Sequence, residues 1–306
     1  MSVPTPLRNT AFELARPDLS VLIPFYKESP LDLLKALSSR DPHAVEIIVL
    51  DDGSARPDIT TEVAAFIETS PLACELITLP ENEGRARGRN RLTTAARGET
   101  FLFLDADMLP DDAGFLDRWL SMAREKHAVV FGGFSLLQAP RDAKFAVHRQ
   151  MAGHGDCLPA SERGKQPEKY VFTSNLLVRR DVFDVEGFDP DFTGWGWEDV
   201  EWAMRVAARY GVGHIDNTAT HMGLDTAETL ARKYEQSAAN FARVVGKHPD
   251  VVAQYPSYKV AKLLKKLPLR GALRGVAKAL AMTPLPTAVR ARLLRLYRAA
   301  LYAEVV

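Results

Sequence analysis

Two carboxylates stand one residue apart, Asp105 and Asp107, directly after the apolar run Phe101-Leu102-Phe103-Leu104. An apolar run without alternation reads as a strand covered on both faces, as in a parallel sheet. Such a strand cannot carry unpaired carboxylates into a core, because burying them is very costly. Asp105 and Asp107 therefore belong at its carboxyl end, the edge where open α/β sheets bind ligands. Side chains two apart on an extended chain point the same way. Two hard oxygen ligands there suit a divalent cation, Mg²⁺ or Mn²⁺, that also holds phosphate oxygens. The plainer alternative is a strand followed by an Asp-rich turn.

Three more loops with chemical content follow apolar strands. Pro24-Phe25-Tyr26-Lys27-Glu28 ends the strand at 20–24. Asp51-Asp52-Gly53-Ser54 ends the strand at 46–50. Residues 81–90, with Gly84, Arg85, Arg87, Gly88, Arg89 and Asn90, follow the strand at 73–79. Asp52 can accept a hydrogen bond from a base imide, and the arginines can meet phosphate. Gly84 and Gly88 let backbone come close to a ligand. Each loop alone is an ordinary turn. All four in this order fit a nucleoside diphosphate.

The elements that position these loops alternate strand, loop and helix. Helices are predicted at 31–39, 58–69 and 85–96, between the four strands. This alternation argues a doubly wound, mainly parallel α/β sheet. Residues 1–17 read as a loose polar lead. Pro24 is expected to stop the ladder of the first strand. In the second half, 111–126 reads as a helix and 128–137 as one strand containing Gly132-Gly133. Residues 138–169 have no clear period and read as a lid or mobile loop. Strands are predicted at 170–179 and, last, at 211–215. Helices are predicted at 181–185, 198–207 and 225–245. His221 falls after that last strand.

The second half carries further candidates. Gly194-Trp195-Gly196-Trp197 precedes Glu198, Asp199 and Glu201. Acids at a helix start also serve its dipole, which is the plainer account of them. Together with the four loops, these residues resemble an inverting nucleotide-sugar glycosyltransferase of the GT-A fold, family 2 type. The resemblance rests on Ser20 to Tyr26, Ile48 to Ser54, Asn82-Glu83-Gly84 with Gly88-Arg89-Asn90, and Asp105-Ala106-Asp107. It also rests on Thr173-Ser174-Asn175 and Gly187-Phe188-Asp189. The stretch from Gly194 to Asp199 resembles the acceptor-side motif of β-1,4-galactosyltransferases and bacterial chondroitin-type polymerases.

The resemblance implies roles. Asp107 is the expected metal ligand, with Asp105 on the ribose or the metal. Asp52, Pro24, Tyr26 and Glu28 belong to the nucleotide-sugar site, with Arg85 and Arg89 toward phosphate. Asp199 is the expected general base, and Glu198, Trp195 and Trp197 orient the acceptor. His221 matches a further metal ligand, and imidazole would favour Mn²⁺. His148 and His154 read as solvated residues of the mobile segment, with a lid role as the alternative. The chain departs from the family at Lys27, where Asn is frequent, and at Trp197, where a second Gly is frequent. A bulky Trp197 is expected to narrow the acceptor site.

The division expected is a glycosyltransferase domain at 18–223 and a helical extension at 224–306. Within the domain, 18–110 is the nucleotide half and 111–223 the acceptor half. From Val251 to Ala303 there is no acidic residue, while eleven Lys and Arg occur. Amphipathic helices with that charge can lie on anionic membranes. The alternative is a helical cap with a solvated basic face. Nucleic-acid binding is not expected, since no recognition motif accompanies the charge.

At 306 residues, 46% hydrophobic and 25% charged, the chain has an ordinary globular composition. Cys74 and Cys157 imply no disulfide framework and fit a reducing compartment. The first twenty residues lack a signal-peptide core. No run reaches the roughly 18–20 apolar residues that span a bilayer. A cytoplasmic protein is expected, peripheral on the inner face of the membrane if the extension binds lipid. The overall expectation is transfer from a UDP-sugar to a glycan or glycolipid in polysaccharide synthesis. Rival readings are a nucleotidyltransferase, a dehalogenase-type phosphatase built on Asp105 and Asp107, and a degenerate membrane-bound binding protein.

Overall fold

The computed structural model describes residues 5–306. Eleven strands among them form two sheets. They are β1 (Leu7–Arg8), β2 (Leu19–Phe25), β3 (Val45–Asp51), β4 (Ala73–Thr78), β5 (Thr100–Leu104), β6 (Met108–Pro110), β7 (Val129–Phe131), β8 (Phe134–Ser135), β9 (Asn175–Arg179), β10 (Gly213–His214) and β11 (Ala219–His221). The large sheet runs β1-β4-β3-β2-β5-β9-β7-β10, and the small one β6-β11-β8. Strands β4, β3, β2 and β5 are mutually parallel, while β9 lies antiparallel between β5 and β7. The expected doubly wound α/β sheet is present, with mixed strand directions.

Alternation along the central strands builds two cores. Val21, Ile23, Ile47 and Val49 face one side, against Leu33, Ile59, Val63, Phe115 and Trp119. Leu22, Ile48, Phe101 and Phe103 face the other, against Leu92, Phe183, Phe188 and Trp202. Because both faces are covered, the strands read as unbroken apolar runs. The four chemical loops consequently leave one edge, the carboxyl ends of the parallel strands.

Several expectations require correction. The stretch read as a loose lead contains β1 and the helix Thr10–Leu14, with Phe12 2% exposed. Pro24 does not end β2, since Pro24 and Phe25 stay in register with Leu50 and Asp51. Phe25 turns its carbonyl to the Asp52 N–H, so Pro24 turns its nitrogen to the other side, where pairing with β5 has ended at Leu22. The strand read at 128–137 is two strands in different sheets. Gly133, at φ +90°, makes the break and lets the chain cross from one sheet to the other. The strand read at 170–179 starts only at Asn175.

The segment 138–169 is no open loop. It contains the helices Ala146–Gly153 and Ala160–Arg163, with Val147, His148, Ala152 and Arg163 buried. Its buried positions are too few per turn to give a readable period. A strand, β11, also follows 211–215, and His221 ends it.

After β11 come the helices Ala227–Lys247, Pro249–Val252, Pro256–Lys265, Arg270–Ala281 and Thr287–Tyr302. They build a third core with Tyr234, Phe241, Val252, Leu264, Leu294 and Tyr297. No helix among the described residues is long and apolar enough to cross a membrane.

The turn after β3 depends on Gly53, which has φ +65°. A Cβ there would lie 2.2 Å from the Glu81 carbonyl carbon. Gly53→Ala is expected to lose about 2–4 kcal/mol from left-handed strain and backbone clash. Urea unfolding measures this, and a loss under about 1 kcal/mol would mean the turn relaxes freely.

Candidate active site

Asp105 sits at the end of β5 against two arginines. The helix Arg85–Ala95 follows the loop after β4 and aims both at it. Arg89 is 2% exposed and donates through Nη2 to Asp105 Oδ1. Ser174 Oγ donates to Oδ2 at 2.9 Å, and Arg85 Nη2 lies 3.6 Å from the same oxygen. Burial pushes the Asp105 carboxyl up, but Arg89, Arg85 and Ser174 outweigh it and hold it at about 2. Arg89 is therefore no free phosphate contact: it lies beneath Asp105 as its counter-charge. Arg87 is exposed and forms no ion pair among the described residues.

Arg85 reaches further. Its Nε donates to Glu198 Oε1 at 2.5 Å. Burial opposes its charge, and Glu198, Asp105 and Asp199 together raise its pKa. One guanidinium thus connects the strand edge to the head of the helix Glu198–Tyr210. Glu198 and Asp199 are 3% and 8% exposed. Among the described residues, Asp199 accepts only the Val200 N–H, at 2.8 Å. Burial, then the neighbouring Glu198 charge, push Asp199 up to about 7. Glu201 has a different task. It is buried against Arg205 of its own helix, and Lys247 and His248 tie this helix to the end of Ala227–Lys247.

Asp107 takes another partner. The small sheet places His221 opposite Met108, so its ring falls beside Asp107. Nε2 lies 3.2 Å from Asp107 Oδ2. Burial disfavours the charged imidazole, but the Asp107 carboxylate outweighs burial and raises its pKa. Asp111 fastens the small sheet by accepting from Ser135, Thr218 and Thr220 at 2.6–2.9 Å. A Cβ on Gly223 would lie 1.9 Å from Asp107 Oδ2, so only glycine leaves that oxygen room. One carboxylate and one imidazole side by side suit a divalent cation completed by phosphate oxygens. Among the described residues no three-residue cluster makes a metal cage.

His148 backs this pair, correcting its reading as a solvated residue. It is 9% exposed, its Nδ1 accepts the Asp225 N–H at 2.7 Å, and its ring meets His221 edge to face. Burial, then the His221 charge, lower its pKa to about 4. His154 is exposed, as expected. Glu28 follows β2 on the same side. Partial burial, then the Asp107 charge, raise its pKa.

Asp52 braces the loop after β4. Its oxygens accept the N–H groups of Glu83 and Gly84 at 2.8 and 3.0 Å, and Asn82 Nδ2 at 2.9 Å. Burial still pushes its carboxyl up. Tyr26 is 44% exposed at the rim, with Lys27 Nζ 4.7 Å from its ring centre. Pro24 is half-buried beside it.

The loop before Glu198 is held from behind. Asn240 Nδ2 donates to Thr193 O and Gly196 O at 2.9 and 2.8 Å. Trp195 is half-buried near Tyr234, with Lys233 Nζ 5.8 Å from its ring centre. Trp197 turns inward, contrary to the expectation that it narrows the acceptor site. Its ring packs 4.8 Å from Phe241, and Nε1 donates to Tyr302 Oη at 3.0 Å. Its φ is +77°, a conformation that suits the glycine frequent here in the family. Packing and the Tyr302 bond hold a tryptophan in that strained backbone.

Sequence reading misplaced His148 as solvated, gave no role to Asn240 or Tyr302, and none of its own to Ser174. Ser174 stood inside a quoted motif. Asn240 could have been found as an amide on the buried face shared by Tyr234, Ser237, Phe241 and Val244. His148 left no such signal.

Comparisons place the chain among known proteins. Residues 20–185 match the family Glycosyl transferase family 2. Polypeptide N-acetylgalactosaminyltransferase 3 of Drosophila melanogaster is 22% identical over 249 residues, covering 70% of this chain and 37% of that protein. Validoxylamine A glucosyltransferase of Streptomyces hygroscopicus subsp. limoneus is 27% identical over 271 residues, covering 78% and 58%. The chain thus spans less than two thirds of either relative. Among solved structures, mannosyltransferase PcManGT from Pyrobaculum calidifontis, in complex with GDP-Man and Mn²⁺, aligns with a TM-score of 0.59 at 20% identity. That alignment covers 94% of this chain and 87% of that one. S. aureus TarS 1-349 aligns at 0.54 and 15% identity, covering 94% and 90%. Both likenesses are to the fold.

Arg85→Met would strand the buried Glu198 without its partner. The expected loss is about 2 kcal/mol, at or below the low end for a broken buried pair, because Arg85 is 37% exposed. Adding Glu198→Gln is expected to restore most of it. Simple additivity in that double-mutant cycle would show that the two side chains are not coupled.

Proposed function

The chain belongs to glycosyl transferase family 2, and on that premise we propose a metal-dependent inverting transferase. It moves a sugar from a nucleoside diphosphate sugar, UDP-linked, to a hydroxyl of a glycan or glycolipid acceptor in polysaccharide synthesis. One observation carries this reading. A single edge joins a cation-suited pair, Asp107 with His221, through Asp105 and Arg85 to a buried carboxylate, Asp199, poised near neutral pH.

In this reading Tyr26 and Pro24 flank the base, and Asp52 accepts its imide N–H on a remaining lone pair. Asp105 meets the ribose with the lone pairs that Arg89 and Ser174 leave. Asp107 and His221 would hold Mn²⁺ or Mg²⁺ with the phosphate oxygens, and Glu28 lies close by. The cation would neutralise the charge that develops on the departing diphosphate. Arg85 is placed to add positive charge on the same side.

Asp199 acts on the acceptor. Its carboxylate takes the hydroxyl proton as that oxygen bonds to the anomeric carbon. The bond from that carbon to the diphosphate breaks, and its electron pair leaves with the phosphate. One displacement inverts the centre. Trp195 offers an aromatic face to the acceptor, and Glu198 is held by Arg85 to orient it. A base is most useful when its pKa lies near the working pH. Burial beside Glu198 gives Asp199 that value.

Turnover is therefore expected to rise with pH through about 7 and level off above it. Asp199→Asn is expected to lose about 10²–10⁴-fold in turnover with donor binding retained. The same raised pKa has a stability sign. The folded state binds the extra proton between the ordinary carboxylate pKa and about 7, so this group's contribution falls as pH rises across that window. Above it, Asp199→Asn is expected to be the more stable protein. NMR of the product's anomeric proton tests inversion directly. Retained configuration, or a pH-independent rate, would contradict the role given to Asp199.

A further inference from the structure

The helical extension packs on the domain, yet its outer face is unusually apolar. Thirteen large hydrophobic residues are exposed among those described, and eight lie between 260 and 289. Val260, Leu263 and Leu267 form a stripe along Pro256–Lys265 and the turn after it, at 44%, 64% and 43% exposure. Leu269, at φ +61°, stands 82% exposed at the tip before the next helix. On Arg270–Ala281, Val276 and Leu280 are also exposed, at 55% and 42%. These helices bury other positions, Ala261, Leu264, Ala277 and Ala281. The exposed leucines are therefore surplus to the core. A solvated basic cap would not need them, since contiguous exposed apolar surface marks a contact site.

The charges beside them are one-signed and unanswered. Lys259, Lys262, Lys266 and Arg270 interleave with these apolar residues, and none forms an ion pair among the described residues. Elsewhere in the extension, Lys278 pairs with Glu235 at 2.6 Å and Arg274 with Glu304 at 2.5 Å. Long basic side chains can lay their stems on apolar surface and lift their charge to a phosphate layer. A stripe of leucines rimmed by free cations matches the acyl boundary and headgroups of an anionic bilayer.

We propose that the outer face of residues 256–281 docks on the surface of an anionic phospholipid membrane. Leu263, Leu267 and Leu269 enter the acyl boundary, and Lys259, Lys262, Lys266 and Arg270 meet lipid phosphates. Thr287–Tyr302 packs against both docking helices and also carries Tyr302, the partner of Trp197. The same block therefore braces the loop that leads to Asp199. Lipid docking stands apart from the transfer reading. Its consequence, that the acceptor site is kept near the bilayer and takes a lipid-linked acceptor, rests on that reading.

The test is sedimentation of the full chain with vesicles of phosphatidylcholine alone, or with about a third phosphatidylglycerol. Pelleting is expected with the anionic vesicles only, weakening more than about tenfold from low to high salt. Leu263→Glu with Leu269→Glu, and separately Lys259→Ser with Lys262→Ser and Lys266→Ser, are each expected to weaken it more than about tenfold. Both variants should keep the wild-type melting curve, since all five side chains face solvent. Absence of pelleting, or pelleting that neither vesicle charge nor these variants affect, would overturn the proposal. So would a dimer, seen by light scattering, that Leu263→Glu with Leu269→Glu dissolves while vesicle binding is absent: the face would then belong to a second copy. Vesicle binding without any sugar transfer would leave the docking intact and remove the transfer reading alone.

Discussion

The charge on Asp105 governs the centre of the molecule. Burial alone would push its pKa up, and burying a carboxylate without partners is costly. Arg89, Arg85 and Ser174 hold it ionised at about 2. Removing any of them leaves a buried charge or a buried donor without its partner. Four segments are therefore committed to one point: the end of β5, the helix Arg85–Ala95, the turn before β9 and, through Arg85, the head of Glu198–Tyr210. The arrangement also divides labour between neighbours. Asp105 absorbs the arginines, and Asp107, two residues on, stays beside the His221 imidazole, the pair proposed to hold the cation.

The head of the helix Glu198–Tyr210, the proposed acceptor side, is built by the opposite logic, with fewer partners. Asp199 has one backbone donor and a like charge next to it, and so rises to about 7. Its loop is held from behind, by Asn240 on the backbone and by Trp197 on Phe241 and Tyr302. A tryptophan at φ +77° would be costly on its own. The cluster with Phe241 and Tyr302 supplies the compensation, and that cluster exists only because the C-terminal helices pack there. The extension is thus part of the site's support rather than an appendage, and the boundary expected near residue 224 crosses a continuous core.

Much of this was legible in the chain. Strands covered on both faces give apolar runs, so β2, β3, β4 and β5 and the loops after them could be read directly. Their parallel order alone puts Asp52, Gly84, Asp105 and Asp107 on one edge. What could not be read were contacts between distant segments. Nothing local tells that Arg89 lies under Asp105 or that Trp197 turns toward residue 302. Gly132-Gly133 read as part of one strand because the crossing between sheets has no signature beyond the glycines. The helix Ala146–Gly153 was invisible because only Val147, His148 and Ala152 are buried, and His148 was lost with it.

The central claim is that Asp107 and His221 hold a cation that holds the donor's diphosphate. Calorimetric titration of UDP, and in parallel GDP, with and without Mn²⁺ tests it most directly, on the wild type, Asp107→Ala and His221→Ala. The account predicts that one nucleotide binds more than about tenfold tighter with Mn²⁺, and that either variant removes this difference while leaving metal-free binding unchanged. Nucleotide binding that ignores Mn²⁺, or a metal effect that survives both variants, would contradict it.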